Sequence, residues 1–248
     1  MGHIESFCKC IQSLDDALDD LSPVLETSVD QLIFATVGSL VEQAQATKVL
    51  FEQNQQKSAL IIFRSISETA IHLINLCYFD QEYVDRMVVN AHEETRSKHQ
   101  FCLNELDLSL TERAFHQSRV DHHKAERDAK RAQRGFRAEK TGTQKTYVLA
   151  DCKNDYLSYK QLCGRTHSDI ISLIKDHLEE VDGGLITIGK PLEQADLDHA
   201  LRFATEMLLI SLMTTFEYYE KKSDHMASAF EHNNEMLDKL DSLKATAT

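Results

Sequence analysis

The chain has 248 residues, with 27 Lys and Arg against 40 Asp and Glu, giving a formal net charge of −13. That balance argues against a general nucleic-acid coat protein. Two prolines, eight glycines and no tryptophan leave no flexible linker and no fibrous repeat, so long helices are expected. The length suits one large core, and we expect a single helical domain over 1–248 whose core runs from about 23 to 222.

The start, Met1-Gly2-His3-Ile4-Glu5, lacks the basic residues and apolar run of a signal peptide. Met1-Gly2 with Ser6 matches the myristoylation pattern, with no polybasic patch or second anchor nearby. No window approaches eighteen consecutive apolar residues, so no bilayer span is expected. Cys8, Cys10, Cys77, Cys102, Cys152 and Cys163 contain no CxxC pair and read as small buried hydrophobes of a reducing compartment. The expectation is a cytoplasmic chain with no metal and no cofactor.

Ile4, Phe7, Ile11, Leu14, Leu18 and Leu21 recur every three or four residues and predict a first helix over 4–21. Ser22-Pro23 reads as its end and as the cap and first turn of the next helix, which runs to about Asn54. A third helix, from about Lys57 to Phe79, is apolar nearly all round and belongs at the centre of a bundle. A fourth runs from Asp80 to about Leu106, and Ser109-Leu110-Thr111-Glu112 is a capping box for a fifth. That fifth helix is polar on nearly every face to about Arg137, so it either projects or is covered by a partner.

Helical spacing returns from Tyr147 to about Ile174. Around Val181-Asp182-Gly183-Gly184-Leu185 a small β-hairpin is expected within 178–189. Pro191 opens the last core helix, and a more polar helix follows over about 223–243. The fold class is therefore an all-α bundle of long helices with one small hairpin.

Arg64, Glu68 and His72 stand four apart on the apolar third helix and stack on one face. A charge there needs partners or a ligand, so these residues are candidates for a polar pocket; a surface pair in a groove is the plainer alternative. A second pattern, Tyr156-Leu157-Ser158-Tyr159-Lys160-Gln161-Leu162-Cys163-Gly164-Arg165-Thr166-His167, would align Tyr159, Cys163 and His167 on an unbroken helix. Gly164 offers an earlier stop.

Phe63-Arg64-Ser65-Ile66-Ser67-Glu68 and Tyr159-Lys160-Gln161-Leu162-Cys163-Gly164-Arg165-Thr166-His167 together resemble a bacterial family of unknown function. That family is marked by an Arg-x-x-x-Glu helix and a Tyr-x-x-Leu-Ser-x-x-x-His element; Cys163 stands where it usually has serine. The resemblance covers roughly residues 40 to 220. It implies an all-helical fold and Arg64, Glu68, Tyr159 and His167 as the marked positions, with no established activity. The family in turn resembles HEPN bundles, which include toxin and phage-defence ribonucleases marked by Arg, four to six residues, then His, and usually acting as dimers. Arg86 and His92 fit that spacing, although apolar Met87 follows Arg86.

A carboxylate-bridged metal needs Glu-x-x-His pairs, whereas Glu68–His72 and Glu112–His116 have one residue too many. Between Arg119 and Lys145 nine basic residues face four acidic ones, a local surplus of five that leaves −18 for the rest. Lys124, Arg127, Lys130, Arg131, Arg134 and Arg137 fall largely on one helical face, where RNA or an acidic partner protein would bind. A solvated charged helix is the competing account.

The functional expectation is a non-catalytic binding or interaction module in a bacterial defence or mobile-element setting, with a pocket of Arg64, Glu68, His72 and Tyr159. The alternative is a dimeric, metal-independent ribonuclease using His167, His92 and Arg86. A homodimer or protein partner is expected in either case, and no membrane.

Overall fold

A computed structural model describes residues 2–21, 26–134, 142–166, 178–181, 185–188 and 193–246. The helices in chain order are α1 (Gly2–Leu21), α2 (Ser28–Glu52), α3 (Gln56–Glu105), α4 (Leu110–Arg134), α5 (Thr143–Leu149) and α6 (Asp155–Thr166). Strands β1 (Leu178–Val181) and β2 (Leu185–Ile188) follow, then α7 (Gln194–Tyr218) and α8 (Asp224–Thr246). The chain is all-helical apart from the two strands, which pair antiparallel with Leu178 opposite Ile188 and Val181 opposite Leu185. It divides into two compact units, Met1–Tyr78 with Tyr147–Thr248, and Phe79–Thr146.

In the first unit α1 packs chiefly against α8. Phe7, Cys10, Ile11, Leu14, Ala17 and Leu21 form the buried face of α1, while Met226, Ala229, Met236 and Leu240 are buried on α8. The expected polar terminal helix thus has a core face of its own. Phe7, Phe51 and Phe63, from α1, α2 and α3, meet with ring centroids 5.6 to 5.9 Å apart and are at most 5% exposed. Edge-on aromatic contacts of this kind add to the burial of large rings.

The second helix starts later than Ser22-Pro23 suggests. Thr27 is its cap: the Thr27 hydroxyl accepts from the Asp30 backbone N–H, and the Asp30 carboxylate accepts from the Thr27 N–H at 2.8 Å. This reciprocal pair satisfies two otherwise orphaned donors. Tyr219 donates a further bond to Asp30, at 3.0 Å. Pro23 and Pro191 lie outside the described residues.

The expected third and fourth helices are one run, α3, interrupted at Asp80, whose φ of 49° and ψ of −132° are not helical. Among the described residues α3 is long and apolar enough, by length and composition, to cross a membrane; 61% of its most apolar window is buried, as in a core helix. The expected helix from Tyr147 to Ile174 is instead broken into α5 and α6, and Asp151 takes a left-handed φ of 56° in the break.

In the second unit, the later part of α3 pairs antiparallel with α4. The predicted capping box is in place: Ser109 N–H donates to Glu112 at 2.9 Å, and Glu112 N–H donates to the Ser109 hydroxyl at 3.4 Å. The polar α4 is therefore covered on one side by its own chain.

Candidate functional site

In the first unit α3 buries Phe63, Ile66, Ser67, Ala70 and Ile71, leaving Arg64, Glu68 and His72 on a half-buried stripe. The i, i+4 spacing brings Arg64 Nη2 to Glu68 Oε1 at 3.0 Å. Helix α6 adds Tyr156, Tyr159 and Cys163, at spacings of three and four along one face. The Tyr159 hydroxyl donates to the same Glu68 oxygen at 2.6 Å, a short charge-assisted bond. The Arg64 guanidinium lies 5.9 Å from the centre of the Tyr159 ring, within cation–π range.

Tyr147 of α5 and Tyr156 complete an aromatic wall, with ring centroids 5.3 and 5.9 Å from Tyr159. Tyr147 is fully buried and Tyr159 is 5% exposed, whereas the Arg64 and Glu68 side chains keep 25% and 35% of their exposure. The cluster thus has a dry tyrosine floor and a charged rim open to solvent. Burial first, then the Cys163 and Glu68 hydrogen bonds, push the Tyr159 hydroxyl well above its ordinary pKa. Tyr159 stays a protonated donor, and Glu68 is held by one phenol and one guanidinium. Burial lowers the pKa of His72, against the charge of Glu68.

Of the residues marked in the sequence, the structure joins Arg64, Glu68 and Tyr159 and sets His72 beside them. His167 and Arg137 lie outside the described residues. Tyr147 and Tyr156 join the site without being candidate site residues in the sequence; the signal for them is the recurrence of tyrosine at 147, 156 and 159.

In the second unit Arg86 and His92 have separate partners. Arg86 Nη2 pairs with Glu82 at 2.7 Å, and His92 Nδ1 lies 3.0 Å from His123 Nδ1. Among the described residues of the basic run, three are engaged within the second unit. Arg127 binds Glu93 and Asp128; Lys130 reaches the buried Asp85 at 3.5 Å; Arg131 lies 3.7 Å from Asp128. Lys124 is exposed. The Arg96 hydrogen bonds, against a desolvation cost and with help from Arg127, bring Glu93 down to about 2.

Fold and cluster together define an all-helical protein with a tyrosine-floored Arg–Glu site. The chain belongs to a family of unknown function (DUF5677), which matches residues 30–185 and so includes Arg64, Glu68 and Tyr159. No curated protein and no solved structure matches the chain.

Proposed function

We propose that this chain is a non-catalytic binding or interaction module whose recognition centre is the Arg64–Glu68–Tyr159 cluster. The observation that carries this reading is the convergence of Tyr159 and Arg64 on one Glu68 oxygen. A carboxylate held by two donors is a poor general base, whereas a half-exposed guanidinium beside a tyrosine wall suits recognition of a planar or anionic group. On the same helices Ile61, Val148 and Leu157 keep 57%, 54% and 70% of their exposure, which favours a protein partner or a second copy.

The ribonuclease alternative rests on spacing for Arg86 and His92, and on the family resemblance for His167. Six residues turn a helix through about 600°, which leaves Arg86 and His92 roughly 120° from alignment. Six cysteines without a disulfide support a cytoplasmic location, and the family resemblance supports a bacterial defence or mobile-element setting.

Native mass spectrometry of the purified full chain tests the proposal. A bound molecule carried by wild type and lost from Arg64→Met/Glu68→Leu, a variant that removes both charges together, supports it. The same bound mass on both proteins, or none on either, overturns it.

A further inference from the structure

Away from that cluster, the second unit carries a seam of four histidines, of which the ribonuclease alternative invokes only His92. His92 and His99 stand seven apart on α3, and His116 and His123 stand seven apart on α4. Two helical turns bring each repeat back to nearly the same face, and the antiparallel pairing sets His92 against His123 and His99 against His116. Nδ1 approaches Nδ1 at 3.0 Å in the first pair and at 2.8 Å in the second. The two pairs are linked by near-parallel rings of His99 and His123, 6.3 Å apart with an interplanar angle of 10°. All four side chains are half-buried.

We propose that the two Nδ1···Nδ1 pairs are bis-imidazole sites for a late first-row divalent metal ion, clamping α3 to α4. Imidazole nitrogens bind such ions at about 2.0–2.1 Å, and two of them 2.8–3.0 Å apart then subtend roughly 85–95° at the metal. That is the right angle of tetragonal Cu²⁺ or Ni²⁺. Tetrahedral zinc needs the nitrogens about 3.3 Å apart at the same bond length, so the seam favours copper and nickel over zinc. Among the described residues no third His, Cys, Asp or Glu joins either pair to make a three-ligand cluster. Water therefore fills the remaining positions, and exchangeable binding is expected rather than a permanent structural metal.

Without metal, each pair shares one Nδ1 proton, one ring donating and the other accepting. Metal binding moves that proton to Nε2 of the donor ring, so both Nδ1 lone pairs face the ion and no net proton is released by a neutral pair.

The full chain, stripped with a chelator and titrated with NiCl₂ at pH 7.5, is expected to take up two more Ni²⁺ per chain than His92→Ala/His99→Ala. His99→Ala alone should lose one of the two, with helicity checked by circular dichroism. Copper loading of the wild type gives a readout independent of variant folding: the spin-resonance spectrum should carry hyperfine splitting from two imidazole nitrogens. Equal uptake by wild type and double variant, or a copper spectrum without nitrogen splitting, overturns the proposal and leaves the pairs as hydrogen bonds alone.

Discussion

The Tyr159 hydroxyl and Glu68 Oε1 meet at 2.6 Å across 91 positions of sequence, and this bond ties α6 to the central helix of the first unit. Removing the carboxylate takes the charged acceptor from a phenol on a residue only 5% exposed, leaving it the weaker Cys163 partner. An unsatisfied buried donor costs about 1–3 kcal/mol, so Glu68→Ala should lower stability by about 2 kcal/mol in urea unfolding. Tyr159→Phe, which removes the donor and leaves Glu68 with Arg64 and solvent, should cost about 1 kcal/mol. The double variant should show a coupling of at least about 0.5 kcal/mol; simple additivity would mean that the bond does not form in solution.

The second unit should lose stability as pH falls, in two windows. Burial first, then neighbouring positive groups, lower the pKa values of His99 and His123: His116 and Arg119 act on His99, and His122, His92 and Arg119 on His123. The unfolded chain therefore takes up protons first, and stability declines as pH drops through 6.5 in chelator-treated protein. Glu93, brought down to about 2, contributes stability that is present above about 4.5 and is lost between there and pH 2. Glu93→Gln should shrink the lower step, leaving what Glu112 contributes through its Ser109 bonds, and leave the upper one, followed by hydrogen exchange within α3 and α4. A profile flat from pH 8 to 5 would contradict the histidine assignment.

Asp80 holds φ 49° and ψ −132° inside α3, a combination open to glycine and strained for other residues. Asp80→Gly should raise the melting point, by about 1 kcal/mol in stability after glycine's own entropy cost. A loss of stability would mean that Asp80 is helical in solution.

RNA binding by α4 should be weak. Arg127, Lys130 and Arg131 are ion-paired to carboxylates of the same unit, so these three would have to give up their partners before releasing counterions from phosphates. Any affinity at low salt should fall only shallowly as salt rises, and Arg127→Glu should destabilise the hairpin rather than merely abolish binding. A steep salt slope with an intact fold would restore the basic helix as a nucleic-acid surface.

Local patterns in this chain were legible where a single element satisfied itself. The three-to-four spacing of Phe7, Ile11, Leu14 and Leu21 gave α1, and Ser109 with Glu112 gave the start of α4. Arg64 and Glu68 could be placed together because four residues are one helical turn, and Tyr159 was tied to them by family resemblance. What stayed hidden depends on distant partners. Asp85 and Glu93, the acids that engage Lys130 and Arg127, stand 45 and 34 positions earlier, and periodicity alone does not say which helix faces will meet. The break between α5 and α6 contains neither glycine nor proline. Asp151 and Asn154, residue types that tolerate left-handed φ, signal it, and Asp151 adopts that conformation. The start of α2 moved from Ser22-Pro23 to Thr27 because Asp30 completes a capping box there.

An assay of RNA cleavage by the purified full chain tests the binding-module account most directly. Across pH 5.5 to 8, where a catalytic histidine would impose its titration, the account predicts intact RNA from wild type, His92→Ala, Arg86→Ala and His167→Ala alike. Cleavage by wild type that disappears in one of those variants, with its melting point unchanged, would contradict the account.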